Sequence, residues 1–189
     1  MILVSHHLLF TTPVEFPEET VVLRINIAWM KNKAELVKLL RGLKHDIYLD
    51  YPQGRSKPPR PKMSLEEALA LVPQFPNIKY FAVSNVEDPK KIAAIRAKLP
   101  PQVELVPKIE TEAGVKNMCG IVSAIGTKYV MLDKEDLYVA VKRDSGKFNR
   151  LVELARAKAA QSRINILELH GVVFLPYRKG KRATRVRSV

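Results

Sequence analysis

The sequence predicts an α/β fold: a compact (β/α) TIM barrel of parallel strands, either minimal or short of its eighth unit. Three observations lead there. Short β-branched runs alternate with amphipathic stretches at a spacing of about 25 residues, the rhythm of βα units around a parallel sheet. Seven strands can be placed if residues 2–4 form the first. The chain has 189 residues, whereas such barrels usually need ~200 or more. A doubly wound open sheet is the structural alternative. It would carry a Gly-rich phosphate loop after its first strand, and none is present. No nucleotide cofactor is expected for the same reason.

The elements follow in order. Residues 21–28 (VVLRINIA) are β-branched and read as a strand. Leu36, Leu39, Leu40 and Leu43 then share one helical face. Residues 46–51 (DIYLDY) form the next strand, followed by a Pro-rich loop over 52–62. Ser64 with Glu67 three residues on is a capping box, and Pro73 closes that helix. Residues 78–84 (IKYFAVS) are a strand. Asp88 and Pro89 suit the N-cap and first turn of a helix with Ile92, Ile95 and Leu99 inward, ended by Pro100. Residues 103–109 (VELVPKI) are a strand. Residues 112–125 are a helix with Val115, Met118, Val122 and Ile125 inward and Gly126 as its C-terminal cap. A strand over 128–133, a helix over 147–161 and a strand over 164–169 complete the rhythm, with 172–175 continuing the last strand or forming another.

Composition bounds the function. Hydrophobic residues make up 47% and charged residues 27%, a globular balance. Cys119 is the one cysteine, which excludes an intramolecular disulfide and a four-cysteine zinc site; mid-helix beside Met118, it reads as a small buried hydrophobe. No apolar run reaches the ~18 residues of a membrane span. The opening MILVSHHLLF lacks a basic stretch and a small-residue cleavage motif, so a cytoplasmic protein without a membrane partner is expected. The net charge is +13, and ten of those charges sit in two acid-free segments, residues 53–62 and 177–189. The expected organisation is a barrel domain over 1–176 and a basic tail over 177–189. Arg178, Lys179, Lys181, Arg182, Arg185 and Arg187 would attract nucleic acid or another polyanion, or simply keep the tail solvated.

In parallel α/β folds functional groups gather at the C-terminal ends of the strands. Arg24, Asn26, Asp50, Lys108, Glu110 and Asp136 stand at or just beyond such ends, as do Ser5, His6, His7, Glu168 and His170. Lys108 and Glu110 flank Ile109, so on a strand both point to one side. Glu110 and Asp136 could offer two carboxylates to one hard cation, Mg²⁺ or Mn²⁺. Arg24 would supply a fork for a substrate carboxylate or phosphate. The set suits polarising a small 2-oxo acid and stabilising its enolate. A Lys–carboxylate–Arg salt-bridge network closing the barrel end accounts for the same residues without catalysis. His45 precedes a strand and reads as a turn residue; Trp29 could wall a pocket or pack in the core.

VPKIETEAGVKN resembles the "KIE…GV.N" segment of pyruvate kinase, and YVMLDKEDLYVAV resembles the kinase strand that ends in "GDLG". VVLRINIAW resembles "RLNFSH", IYLDYPQGRSK resembles "ALDTKGPEIR", and FAVSNVEDPKKIAAIRAKL resembles "ASFIRKASDVHEVRKVL". The five segments keep their order over residues 20–170. The related HpcH/HpaI and citrate-lyase-β aldolases share "RIN", "IET" and "DL", and IETEAGVKN is close to them. The resemblance to this phosphoenolpyruvate/pyruvate superfamily implies a metal held by Glu110 and Asp136 and a substrate-binding arginine at Arg24. It also implies an active-site lysine at Lys108, and Asn26 and Asp50 near a monovalent cation or the substrate. The departures are specific. The loop over 52–62 stands where the kinase lid would be. Ala28 replaces a serine, and Glu135 replaces the glycine before the metal-binding aspartate. Glu168 or Leu169 stands where the kinase has a threonine. Phosphoryl transfer to a nucleotide is therefore not expected. The expected activity is a metal-dependent lyase or aldolase reaction in a homo-oligomer; the alternatives are an inactive scaffold that binds a polyanion or protein through its tail, and one half of an obligate oligomer whose site a partner chain completes.

Overall fold

The computed structural model describes residues 2–5, 21–54 and 58–167. His6, His7, Glu168, His170, the possible strand over 172–175 and the six basic tail residues lie outside them. Among the described residues seven strands form one parallel sheet in sequential order, β1 to β7: Ile2–Ser5, Val21–Asn26, Asp46–Tyr51, Ile78–Val83, Glu104–Ile109, Tyr129–Leu132 and Asn165–Leu167. Sequential order without reversal is the winding of a barrel and excludes a doubly wound sheet. Among the described residues β1 pairs with β2 and β7 pairs with β6, so the sheet is a curled half-barrel, an incomplete TIM barrel.

Among the described residues six α-helices return the chain between strands: α1 Lys33–Gly42, α2 Leu65–Leu71, α3 Pro89–Arg96, α4 Glu112–Ile125, α5 Lys134–Ala140 and α6 Ser145–Gln161. Local chemistry sets their starts. Ser64 and Glu67 exchange hydrogen bonds as a reciprocal box, and Asp88 accepts from the backbone N–H of Lys90 and Lys91. Gly126 ends α4 in the left-handed region at φ +65°, a conformation that penalises a Cβ. Helix α3 stops at Arg96, earlier than Pro100, and the Arg96 guanidinium reaches forward to donate to the carbonyls of Leu99, Pro100 and Val103, tying off the segment that follows. Helix α5 falls in a stretch (KEDLYVA) whose β-branched and aromatic residues conceal it in the sequence; the Asp133 cap starts it.

Two apolar layers sandwich the sheet. The larger lies between strands and helices, with Ile25, Leu49, Phe81, Val83 and Ile109 facing Leu36, Leu40, Leu69, Ile92, Val115 and Met118. The inward residues of α4 include Ile121, while Ile125 is only half-buried. The smaller layer contains no helix residue and fills the concave side: Val22, Tyr48, Ala82, Val106 and Met131. Tyr80 stacks on Tyr48 at 6.2 Å and meets Tyr129 edge-on at 6.1 Å, plugging the lower end.

Two predictions follow from this packing. A Cβ on Gly114 would lie 2.7 Å from the Val86 carbonyl oxygen, a backbone atom that cannot yield cheaply. Gly114→Ala should therefore lower stability by about 1–3 kcal/mol, read from the urea midpoint. Glu112 joins α4 to α6, lying 2.7 Å from Lys116 and 2.5 Å from Lys147. Hydrogen bonds from Lys116 and then Lys147 hold its carboxyl down to about 2, from 4.5. The folded state thus favours the ionised acid. Its contribution is complete above pH 4.5 and disappears as pH falls towards 2. Glu112→Gln should narrow its gap from the wild type over that window, and high salt should flatten the difference.

Candidate functional site

The site is the next storey above the concave apolar layer. Side chains two apart on a strand share a face. Two residues beyond Val22, Tyr48, Ala82, Val106 and Met131 stand Arg24, Asp50, Ser84, Lys108 and Asp133. Five neighbouring strands thus change together from apolar to polar at their C-terminal ends. The register staggers the change by two residues from β2 to β3, β3 to β4 and β5 to β6, pairing Arg24 with Tyr48, Asp50 with Ala82 and Lys108 with Met131.

Lys108 is the hub. Its ammonium lies 2.7 Å from Glu110, 3.4 Å from Asp133 and 3.8 Å from Asp50, and donates to Ser84 Oγ at 3.1 Å. Burial works against its charge, but Asp50, Glu110 and Asp133 together push its pKa above the ordinary lysine value. Arg24 donates from Nε and Nη2 to one oxygen of Asp50, at 2.9 and 2.5 Å. There too burial opposes the charge and the Asp50 carboxylate outweighs it. Asp50 is fully buried beneath the two cations and does not line the cavity, although the sequence assigned it to substrate.

Glu110 is fixed at both oxygens. Its Oε2 accepts from the Asn85 backbone N–H at 3.0 Å. Its Oε1 takes the Lys108 ion pair without the alignment of a hydrogen bond. Burial raises its pKa, Lys108 opposes that, and Asp133 and Asp136 add to the rise. Carboxylate oxygens of Glu110, Asp133 and Asp136 all lie within 4.8 Å of one another. Such an oxygen-only set suits a hard divalent ion, which draws ligands to about 2.0–2.1 Å for Mg²⁺.

Of the residues singled out in the sequence, Arg24, Asn26, Lys108, Glu110 and Asp136 line one cavity of about 490 Å³. The Asn26 side-chain oxygen caps the short turn Ile27–Trp29 by accepting from Ala28 N–H. Trp29 lines the cavity and is 65% exposed, so it is not a core residue. His45 stands just before β3, at the opposite end of the barrel, where its carbonyl accepts from Asn77. Cys119 is half-buried rather than buried, with the Ser162 hydroxyl 3.6 Å from its sulfur.

Sequence reasoning missed Asp133, Ser84 and Asn85. Strand alternation through Tyr129, Met131 and Asp133 was the signal for the first. Asn85 had none, because its role depends on a left-handed backbone at φ 55°. Asp50 is the part on which the cluster's charge balance rests. Asp50→Asn keeps its shape but strands Arg24 and Lys108, and should cost about 3–5 kcal/mol by urea denaturation; an unchanged midpoint would contradict this account.

No family model and no curated protein matches the chain. Solved structures do. An HpcH/HpaI aldolase/citrate lyase family protein from Burkholderia cenocepacia aligns over 88% of this chain and 77% of its own, at 12% identity and TM-score 0.63. The citrate synthase SbnG aligns over 89% and 76%, at 14% identity and TM-score 0.64. An HpcH/HpaI aldolase from Desulfitobacterium hafniense aligns over 80% and 69%, at 11% identity and TM-score 0.59. None of these three is a kinase. At such identities the likeness is one of fold: the half-barrel is similar in fold to these HpcH/HpaI aldolase/citrate lyase family structures and to the citrate synthase.

Proposed function

We propose that the protein is a divalent-metal-dependent lyase or aldolase acting on a small 2-oxo acid. The observation that carries this reading is the convergence of Glu110, Asp133 and Asp136 at the mouth of the half-barrel, beside Arg24 and Lys108. The fold shared with aldolase and citrate lyase structures agrees with it. Glu110, Asp133 and Asp136 would hold Mg²⁺ or Mn²⁺, since the set is all oxygen and partly buried. When bound, such an ion supplies Lewis-acid stabilisation of the negative charge that develops on a 2-oxo acid as its carbon–carbon bond breaks.

The chain's own residues have separate tasks. Arg24, held by Asp50, offers a fixed positive charge to the substrate carboxylate. Lys108 places a second positive charge at the cavity floor, where it offsets charge on a reacting oxygen. Asp50 positions both cations from below. The exhaustive pairing of Lys108 favours a second reading, in which the cluster only closes the barrel end and the protein acts as a scaffold through its basic tail.

Calorimetry with Mn²⁺ separates the two. The wild type should bind one ion, and oxalate should tighten it. Glu110→Gln or Asp136→Asn should weaken binding by at least about tenfold, with the fold intact by circular dichroism. No heat from wild type, or identical affinity in the variants, would leave the scaffold reading.

A further inference from the structure

The cavity has two characters, and the proposed chemistry uses one. Its floor is charged: Arg24, Lys108, Glu110, Asp133 and Asp136. Its lip carries Trp29 and Val139. Among the described residues three large hydrophobics are exposed, Trp29 at 65%, Val139 at 39% and Leu154 at 39%, and two of the three wall this cavity. Displaying an indole to water is unfavourable unless something covers it.

Both lip residues are rigidly presented. Trp29 ends the turn Ile27–Trp29, whose other two residues are buried; Asn26 caps the turn and Met30 N–H closes it on the Ile27 carbonyl at 3.0 Å. Val139 rides on α5, anchored by buried Leu137 and started by the Asp133 cap. Helix α5 therefore delivers both charged Asp136 and apolar Val139 to the cavity that Trp29 also lines. At about 490 Å³ it has the size of a site for a drug-like molecule. A three-carbon acid at the floor would leave most of it empty.

We infer that Trp29 and Val139 form a subsite for an apolar, preferentially aromatic, substituent on the far end of the oxo-acid substrate. The inference rests on the proposed oxo-acid reading and narrows it from any small 2-oxo acid to those with an aryl or bulky alkyl tail. Flat rings fit best because the indole offers a stacking face.

Trp29 is the chain's one tryptophan, so its fluorescence reports this lip alone. The test compares oxalate, pyruvate and 2-oxo-4-phenylbutanoate on the Mn²⁺-loaded full chain, by calorimetry and fluorescence. The phenyl compound should bind about three- to tenfold tighter than pyruvate, within the range of a stacked aromatic contact, and shift Trp29 emission to the blue. Trp29→Ala should erase that preference and leave oxalate affinity within about twofold, while Trp29→Phe should keep most of it. Equal affinity for the two oxo acids, or a parallel loss of oxalate binding in Trp29→Ala, overturns the subsite alone. A blue emission without ligand, with a dimer that Trp29→Ala converts to monomer, also overturns it, because a second copy then covers the indole. Absence of oxalate binding in every protein overturns the oxo-acid reading and the subsite with it.

Discussion

The constraint on which the rest depends is one ammonium held by three carboxylates. Lys108 on β5 gathers Glu110 from its own strand end, Asp133 beyond β6 and Asp50 from β3, while Asp50 reaches across to Arg24 on β2. Charges removed from water survive only when neighbours neutralise them. Four strand ends are thereby fixed at spacings that a half-barrel, without the mutual closure of eight strands, would otherwise hold less strictly. The apolar storey below, with Tyr48 and Met131 at its centre, keeps that cluster dry on one side. The low polarity there is what makes the pairing strong.

Much of this arrangement was legible in the sequence. The caps at Ser64, Asp88 and Gly126 depend on side chains or backbone freedom within a few residues, and they were placed correctly. The alternation that brings Lys108 and Glu110 to one side is equally local. It became a site only through register between strands, which a single sequence does not state. Asp133 shows the limit: it reads as an ordinary strand-end residue until β5 and β6 are set side by side. Asp50 shows the reverse case. Its position at a strand end was evident, but its depth beneath two cations follows from their side chains folding over it. Helix α5 was hidden because LYVA has strand composition, and only the Asp133 cap and tertiary burial of Leu137 decide the outcome.

The division of labour between the storeys also explains why fold and chemistry diverge in their sequence signal. The outer layer tolerates many apolar choices, so likeness of fold to an HpcH/HpaI aldolase and to the citrate synthase SbnG persists at 11% and 14% identity. The upper storey tolerates few, because each charged group there exists in answer to another.

Glu110 carries one more implication. Its carboxylate is already oriented, one oxygen by the Asn85 N–H and the other by the Lys108 ammonium. A cation arriving at that oxygen does not meet a bare ligand; it must outbid a resident charge of +1. A monovalent ion gains little by the exchange, whereas a divalent ion brings twice the field to the same oxygen. An oxygen so occupied is oriented before any ligand arrives, and a newcomer of charge +1 would gain nothing by taking the place of the ammonium.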